Sequence, residues 1–201
     1  MINISNIVRI ESIPFDQYLQ VEGYSHSFLK HQKYGVSETM EVTANMRTGS
    51  LVDGILTEPE KVNMADPLYR PAKEIAMHLK KTYGSMTDVF KKQVSYTATF
   101  EYNGFFMKTK GRLDFELPGK SVIDLKVTWS KDVRALIAYM GYDNQLYSYC
   151  KMAGVNKAYI MIYSVPLKKI SIIEIDVTGS NLFWENAILD FGTVKSDLIH
   201  V

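Results

Sequence analysis

Cysteine, net charge and long apolar runs are all scarce in this chain, and each scarcity excludes a class of protein. The only cysteine among the 201 residues is Cys150, which excludes an internal disulfide, a four-cysteine zinc site and a self-contained iron–sulfur cluster. The formal net charge is +1, so a nucleic-acid-binding surface would need locally clustered basic residues. No apolar run approaches a membrane span in length, and the polar N-terminus does not resemble a signal peptide.

What is present favours one soluble globular protein of the reducing cytoplasm, with no membrane partner. The hydrophobic residues make up 46% of the chain, which is enough to build a sizeable core. There is no internal repeat and no linker long enough to separate domains. We therefore expect one domain over residues 1–201, with a mainly helical part over about 1–92 and a sheet with its helices over about 93–201.

Apolar spacing in the first part predicts three helices. Ser25 is suited to cap the first helix, and the third begins with proline and ends with Gly84. Apolar residues recur at helical spacing in the second. The predicted helices cover residues 25–32, 46–60 and 71–84.

After Val94 the pattern becomes rich in β-branched and aromatic residues, which predicts strands. Turn signals at Asn103-Gly104 and Pro118-Gly119 divide the stretch into a three-stranded meander. Helical spacing then returns over 130–154, with a break expected near Gly141 and a C-cap at Gly154. Two further strands, over 157–165 and 169–177, and a last helix near 180–196 complete the prediction.

The second predicted hairpin, "GRLDFELPGKSVIDLK" over residues 111–126, contains two aspartates and a lysine. If its loop is centred on Gly119, Asp114 lies directly opposite Asp124, at a Cβ separation of about 5 Å that makes like charges repel. Strand alternation places Lys126 on the same face as Asp124, while Ile123, Leu125 and Val127 face the core.

Two interpretations fit this cluster. A divalent cation would offset the repulsion by taking oxygen ligands from both carboxylates, and Lys126 would then orient a water or stabilise charge on a phosphate. The alternative is a surface hairpin on which Lys126 merely pairs with an aspartate, and such exposed pairs are common. A two-residue Asn103-Gly104 turn also places Gln93 opposite Asp114, so the Gln93 amide oxygen is a candidate neutral ligand.

Four stretches together resemble the PD-(D/E)xK nuclease superfamily, and in particular the RecB/RecE-type (exonuclease VIII-type) exonucleases. "GRLDF" and "VIDLKVT" resemble the metal-binding aspartate and the D-x-K strand of that family. "GYDNQLYSY" resembles its Q-x-x-x-Y helix, and "MRTGSLVDGILTEPEKV" resembles the N-terminal helix of the RecE-like group. The stretches occur in the order that the family has.

The resemblance implies an α/β fold with a restriction-endonuclease-like core, in which a central mixed β-sheet is flanked by helices. It assigns catalytic roles to Asp114, Asp124 and Lys126, and it makes the two aspartates and the Leu125 carbonyl metal ligands. It assigns substrate binding to Gln145 and Tyr149, which share one helix face because they are four residues apart.

Two positions depart from the family pattern. Asp53 stands where the family has a histidine in its N-terminal helix, and Gln93 aligns with an acidic residue that often precedes the central strands. Both residues remain candidate metal ligands, or else they mark reduced activity. No histidine of this chain lies at helical ligand spacing in a recognised motif, so none is assigned a role.

The resemblance therefore implies a Mg²⁺- or Mn²⁺-dependent deoxyribonuclease with one or two ions, acting as an exonuclease in recombination or phage DNA metabolism. It implies double-stranded DNA ends as substrate, a single-strand annealing protein as a candidate partner, a candidate homo-oligomer, and a bacterial or phage origin. Two other hypotheses stay open: a catalytically impaired nucleic-acid-binding protein on the same fold, and a structural subunit of a larger complex.

Overall fold

A computed structural model describes residues 1–11, 13–34, 43–179 and 181–194. It contains seven strands and seven helices in these ranges, with a short 3₁₀ turn at Pro59–Lys61. No helix in the described ranges is long and apolar enough to cross a bilayer. In chain order the elements are β1 (Asn3–Ile10), α1 (Phe15–Gln20), α2 (His26–Tyr34), α3 (Ala44–Thr57), α4 (Tyr69–Val89), β2 (Lys91–Tyr102), β3 (Phe105–Leu117), β4 (Ser121–Thr128), α5 (Val133–Met140), α6 (Tyr142–Ala153), β5 (Ala158–Ser164), β6 (Lys169–Ile175), α7 (Leu182–Phe191) and β7 (Thr193–Val194).

The strands form one mixed sheet in the order β1-β2-β3-β4-β5-β6, and the short β7 pairs with the beginning of β3. All pairings are antiparallel except that of β4 with β5, whose connection contains α5 and α6. A parallel pair needs such a long crossover connection, and a helix usually supplies it. The expected fold class, a central mixed sheet flanked by helices, is confirmed.

Most predicted elements are present. The three helices of the first part appear as α2, α3 and α4, and the meander appears as β2, β3 and β4. The helical stretch breaks at Gly141, whose φ of 65° ends α5, and Gly154 with a φ of 68° ends α6. Both glycines adopt the left-handed conformation that other residues avoid at a helix end.

Four elements differ from the prediction. The strand β1 and the short α1 were not predicted, because β1 is an edge strand that is exposed along most of its length and lacks clean alternation. The helix α4 continues beyond Gly84 to Val89, since one glycine weakens a helix without ending it. The last helix covers only Leu182–Phe191, and residues 180, 195 and 196 of the predicted range lie outside the described residues.

Helices cover both faces of the sheet. The helices α6 and α7 pack on one face, and α3 and α4 pack on the other. The seat of α6 is Gly111 on β3, where an added Cβ would lie 2.6 Å from Met152 Cε and 2.7 Å from Tyr149 Cε1. Only a residue without a side chain permits this close approach.

The β2–β3 hairpin reverses its side-chain alternation at one position. The pairs on both sides of this position keep the register that the Asn103-Gly104 turn predicts, but Gln93 and Asp114 do not pair. Gln93 has a φ of 51°, a conformation uncommon outside glycine and asparagine. As a result Leu113 packs on the α6 side of the sheet, and Phe115 packs on the α3–α4 side.

Candidate active site

The site lies at a fork between β3 and β4. The two strands pair over only a short ladder, from the pair Leu117 and Ser121 to the pair Phe115 and Ile123. Beyond it, β4 stays paired with β5 and β3 stays paired with β2. The register predicted from the Gly119 turn is observed, but the expected direct pairing of Asp114 with Asp124 is not formed, because the ladder ends one pair before it. Instead, Asp114 Oδ2 accepts a hydrogen bond of 2.7 Å from the backbone N–H of Leu125.

Lys126 and Asp124 form an ion pair at the fork. Lys126 Nζ lies 2.7 Å from Asp124 Oδ2, and the side chain of Asp124 is only 2% exposed. The ammonium group also lies over the ring of Tyr142, 5.1 Å from its centroid. On the opposite face of β4, Ile123 and Leu125 pack in the core as predicted. Asp124 is therefore buried and Asp114 and Lys126 are partly buried, which does not fit the alternative of an exposed surface hairpin.

The helix α3 brings a third carboxylate, that of Asp53. Gln93 Nε2 donates to both carboxylate oxygens of Asp53 at 3.2 Å, and Gln93 Oε1 accepts a hydrogen bond of 2.5 Å from Arg112 Nε. Arg112 Nη2 lies 3.1 Å from Glu58 Oε2, just after α3 ends. This chain of contacts ties α3 to the β2–β3 hairpin, and it engages both ends of the Gln93 amide.

Mutual repulsion and burial perturb the acids. Burial, followed by the repulsion of Asp53 and Asp124, raises the pKa of Asp114 well above its ordinary value. Burial also raises the pKa of Asp53 to about 6, although the nearby Lys126 ammonium acts in the opposite sense. Such shifts are frequent where carboxylates converge at functional sites.

Lys126 is protonated at neutral pH despite its surroundings. Burial acts to lower the pKa of its ammonium, but Asp124 and then Asp114 act to raise it, and the net shift is upward. The lysine is consequently the counter-charge of the acidic cluster and a fixed cation.

Gln145 on α6 reaches the cluster, and Tyr149 supports it from behind. Gln145 Nε2 lies 3.4 Å from Asp124 Oδ1 and 2.7 Å from Tyr149 Oη, to which it donates a hydrogen bond. Tyr149 is buried against Gly111, and burial, followed by the negative charge of Asp124, raises the pKa of its hydroxyl well above the ordinary value. The structure thus places Gln145 at the site and Tyr149 one layer deeper.

A cleft of about 650 Å³ opens onto the cluster. Its floor is polar, and four elements contribute to it, namely α3, β3, β4 and α6. Residues lining the floor include Asp53, Asp114, Leu125, Lys126 and Gln145, all of which the sequence predicts as site residues. Asp124 lies just below this floor, under Lys126.

Two side chains that the sequence analysis did not predict, those of Tyr142 and His26, also line the cleft. Tyr142 lies three residues before Gln145, so its position on the same helix face was a readable signal. His26 is 6% exposed, and its Nε2 atom has no hydrogen-bond partner among the residues that the structure describes. Burial, followed by the charges of Lys30 and Lys126, lowers the His26 pKa to about 3, so the ring is neutral. No spacing signal identifies His26.

The available donor atoms suit a hard divalent cation. They are carboxylate oxygens and the Leu125 carbonyl, which is the ligand chemistry that Mg²⁺ and Mn²⁺ prefer. Asp124 Oδ2 is buried, and the Lys126 ammonium lies 2.7 Å from it. Within the described ranges, no three acidic, histidine or cysteine side chains are yet gathered closely enough to hold an ion. Metal binding would therefore require these side chains to rotate toward one another.

Similarity to known proteins is found in structure and not in sequence. No protein-family model and no curated protein sequence matches this chain. A crystal structure of an exonuclease candidate from Eubacterium rectale superimposes with a TM-score of 0.51 and 22% sequence identity, over 80% of this chain and 67% of that one. The crystal structure of a protein called SSO0001 superimposes with a TM-score of 0.44 and 18% identity, over 84% of this chain and 88% of that one. The chain therefore shares the fold of the Eubacterium rectale protein.

Proposed function

We propose that this protein is a metal-dependent nuclease that hydrolyses DNA phosphodiester bonds, and that it acts as an exonuclease on duplex ends. The observation that carries the proposal is the convergence of Asp53, Asp114 and Asp124 beside Lys126 at an open cleft. Like charges held close together out of water destabilise the metal-free protein, so such a cluster is most frequent at sites that bind a cation or a substrate. A bound cation would account for the three aspartates, and a bound phosphate would account for the neighbouring Lys126.

Asp114, Asp124 and the Leu125 carbonyl would hold one or two Mg²⁺ or Mn²⁺ ions, with Asp53 as a further ligand and Gln93 as a weaker one. A bound ion supplies Lewis-acid stabilisation of the phosphate and a water of lowered pKa. Gln93 would have to release Arg112 before its oxygen could coordinate. The unengaged oxygen of Asp114 needs no such release, since only Oδ2 accepts the Leu125 hydrogen bond.

Lys126 acts in this proposal as a cation and a hydrogen-bond donor, and not as a base, because its pKa is raised. It would stabilise negative charge on the phosphate or orient the attacking water. Gln145 would keep Asp124 in position and contact the substrate, while Tyr149 would hold the Gln145 amide.

The cellular role that we propose follows the family resemblance. A RecE/RecB-type exonuclease would process DNA ends in recombination or phage DNA metabolism, with a single-strand annealing protein as partner. A homo-oligomer would enclose the duplex.

A second candidate function is nucleic-acid binding without catalysis. It is favoured by the Gln93 amide, whose oxygen Arg112 engages and which replaces an acidic residue of the family pattern. It is also favoured by the close pairing of Lys126 with Asp124, which already neutralises part of the cluster.

One assay separates the two functions. End-labelled linear DNA and closed circular DNA are incubated with the protein, with and without Mg²⁺, and compared with the Asp124→Asn variant. The expected result is Mg²⁺-dependent loss of linear DNA, with circular DNA intact and Asp124→Asn inactive but normally folded by circular dichroism. The exposed Asp143→Asn variant is the matched control and should keep full activity.

Equal cleavage by the wild type and Asp124→Asn would remove the nuclease assignment. Binding of DNA at low salt without cleavage, and without Mn²⁺ binding by calorimetry, would favour the second candidate function instead.

A further inference from the structure

Trp129 is an exposed indole at the rim of the cleft. Trp129 is the first residue after β4, and it lines the same cleft as Lys126, which precedes it by three residues. Trp129 is 38% exposed, and among the described residues no aromatic ring stacks on it and no cation lies over it. The other tryptophan, Trp184, is 0% exposed and donates from Nε1 to the Asn144 carbonyl at 2.7 Å. Large aromatic side chains are normally buried as Trp184 is, so the exposure of Trp129 calls for a partner.

The backbone on both sides of Trp129 is held firmly. The Thr128 carbonyl accepts a hydrogen bond of 2.9 Å from Val165 N–H, and Ser164 Oγ donates to the Ser130 carbonyl at 2.8 Å. Ser130 N–H also donates to Thr128 Oγ1 at 3.0 Å. The indole is therefore presented from a rigid strand end, and a flat ligand that stacks on it would lose little free energy to ordering the protein.

The cleft is divided in a way that matches a nucleotide. The charged Asp114 and Lys126 line it next to the buried Asp124, and the more exposed Trp129 lines it together with apolar side chains of α3 and α5, among them Met46, Leu136 and Met140. A nucleotide likewise joins a charged phosphate to a flat aromatic base. With the phosphate at the floor, the base would lie against the rim.

We propose that Trp129 stacks on an unpaired base of the strand whose phosphate lies at Asp114 and Lys126. The inference rests on the proposed function and deepens it, because it names a stacking residue and requires the bound base to be unpaired. Aromatic stacking tolerates every base, since each has a π-face, so Trp129 would strengthen binding without reading sequence. An unpaired base at a strand end offers a free face to the indole, whereas a base inside a duplex has both faces covered by its stacked neighbours.

Intrinsic fluorescence tests the inference directly, because one tryptophan is at the cleft and the other is buried. The wild type is titrated with a short oligothymidylate in EDTA, which prevents metal-dependent cleavage. We expect saturable quenching that disappears in Trp129→Phe, which retains Trp184 alone. We also expect fluorescence anisotropy with a labelled oligonucleotide to give weaker binding by about 5- to 150-fold for Trp129→Ala, with Trp129→Phe close to wild type.

A matched pair of controls identifies the contact as base stacking. Tyr139 is 85% exposed on α5 and does not line the cleft, so Tyr139→Ala should bind like wild type. An oligonucleotide with abasic sites in place of all bases should bind the wild type more weakly. Removing the bases should lower the affinity of Trp129→Ala much less, because that variant has no indole on which a base could stack.

Two results would overturn the inference: equal binding of the two oligonucleotides by the wild type, or wild-type affinity in Trp129→Ala. Either result would show that the Trp129 indole takes no part in binding DNA. These results differ from those expected if only the nuclease proposal is wrong. In that case oligonucleotide binding would still quench Trp129, but Mg²⁺-dependent cleavage would be absent. Thermal melting of each variant checks that Trp129→Ala remains folded.

Discussion

Asp114 and Leu125 are joined by a hydrogen bond of 2.7 Å from a backbone N–H to a side-chain oxygen, at the point where the β3–β4 ladder stops. A carboxylate here takes the place of a backbone carbonyl of the neighbouring strand. The bond fixes one oxygen of Asp114 and leaves the other at the cleft. It also fixes the Leu125 peptide, whose carbonyl is a proposed ligand. The strand fork is thus part of the site as well as a feature of the sheet.

Lys126→Ala is expected to separate metal binding from turnover. The variant loses the cation that stabilises phosphate charge, so turnover should fall about 100-fold or more. Its Mn²⁺ affinity, measured by calorimetry, should be equal to or higher than that of the wild type, because the ammonium beside Asp124 no longer competes. The exposed Lys131→Ala is the control and should leave both quantities unchanged. Undiminished turnover in Lys126→Ala would make this lysine purely structural.

Asp53→Asn is expected to stabilise the metal-free protein at neutral pH, by roughly 1–2 kcal/mol, while it weakens the response to metal. Burial raises the pKa of Asp53 from 3.8 to about 6, so its charged form opposes folding. The contribution of its protonated form to stability is present below about pH 4 and is lost as pH rises through about 6. The gain from Asp53→Asn should therefore be small below about pH 4, grow between about pH 4 and 6, and level off at higher pH.

Urea denaturation of both proteins across this pH range, with and without Mn²⁺, measures the effect. The difference between the two proteins cancels other titrating groups such as His26. Asp66 provides a control of opposite sign, because its pKa is lowered by the hydrogen bond from Leu68 N–H and by Arg47, so Asp66→Asn should destabilise. A wild type more stable than Asp53→Asn at pH 7 would contradict the account of the buried charge.

Gln93→Glu is expected to bind Mn²⁺ several-fold more tightly than the wild type. It adds a carboxylate next to Asp53, and the number of charged ligands tunes the affinity for a divalent ion. The new carboxylate also meets Arg112, which limits the gain. Calorimetry gives the affinity, and Gln17→Glu on the exposed part of α1 controls for the added charge alone. Unchanged affinity would place position 93 outside the ligand set.

Gly111→Ala is expected to destabilise the protein by about 1–3 kcal/mol, because the new Cβ would overlap the buried Tyr149 ring. Displacing Tyr149 should also disturb Gln145 and lower cleavage activity. Urea denaturation measures the loss. Gly49→Ala on α3 is the matched control, since its Cβ would meet only Val127 at 3.9 Å and alanine favours the helix. Equal stability of Gly111→Ala and the wild type would mean that α6 can shift freely.

Turn chemistry accounts for what could be predicted of the hairpins. Tight turns at Asn103-Gly104 and Pro118-Gly119 set the register, and the observed pairs Val94–Leu113 and Phe115–Ile123 follow it. The turns do not encode the left-handed backbone conformation at Gln93, which glutamine rarely adopts. The reversal of alternation there, and the early end of the β3–β4 ladder, are set by tertiary packing.

The site could be predicted only in part for a related reason. Asp114, Asp124 and Lys126 are close in the chain, and strand geometry alone suggested their approach. Asp53 is far from them in the chain, and only the family resemblance suggested that it belongs to the cluster. His26 reaches the cleft because α2 packs against α6, and no local pattern encodes a contact of that kind.

The parallel pairing of β4 with β5 has a consequence for how the protein is made. From Val122 to Thr128 the strand that carries Asp124 and Lys126 depends on Ala158–Ser164 for its ladder, and β3 supplies only a short stretch of pairing. During translation, both acids of the hairpin are synthesised before the strand that supports β4. Under the proposed function, truncated translation products that end before β5 would lack this support for Asp124 and Lys126 and would be inactive.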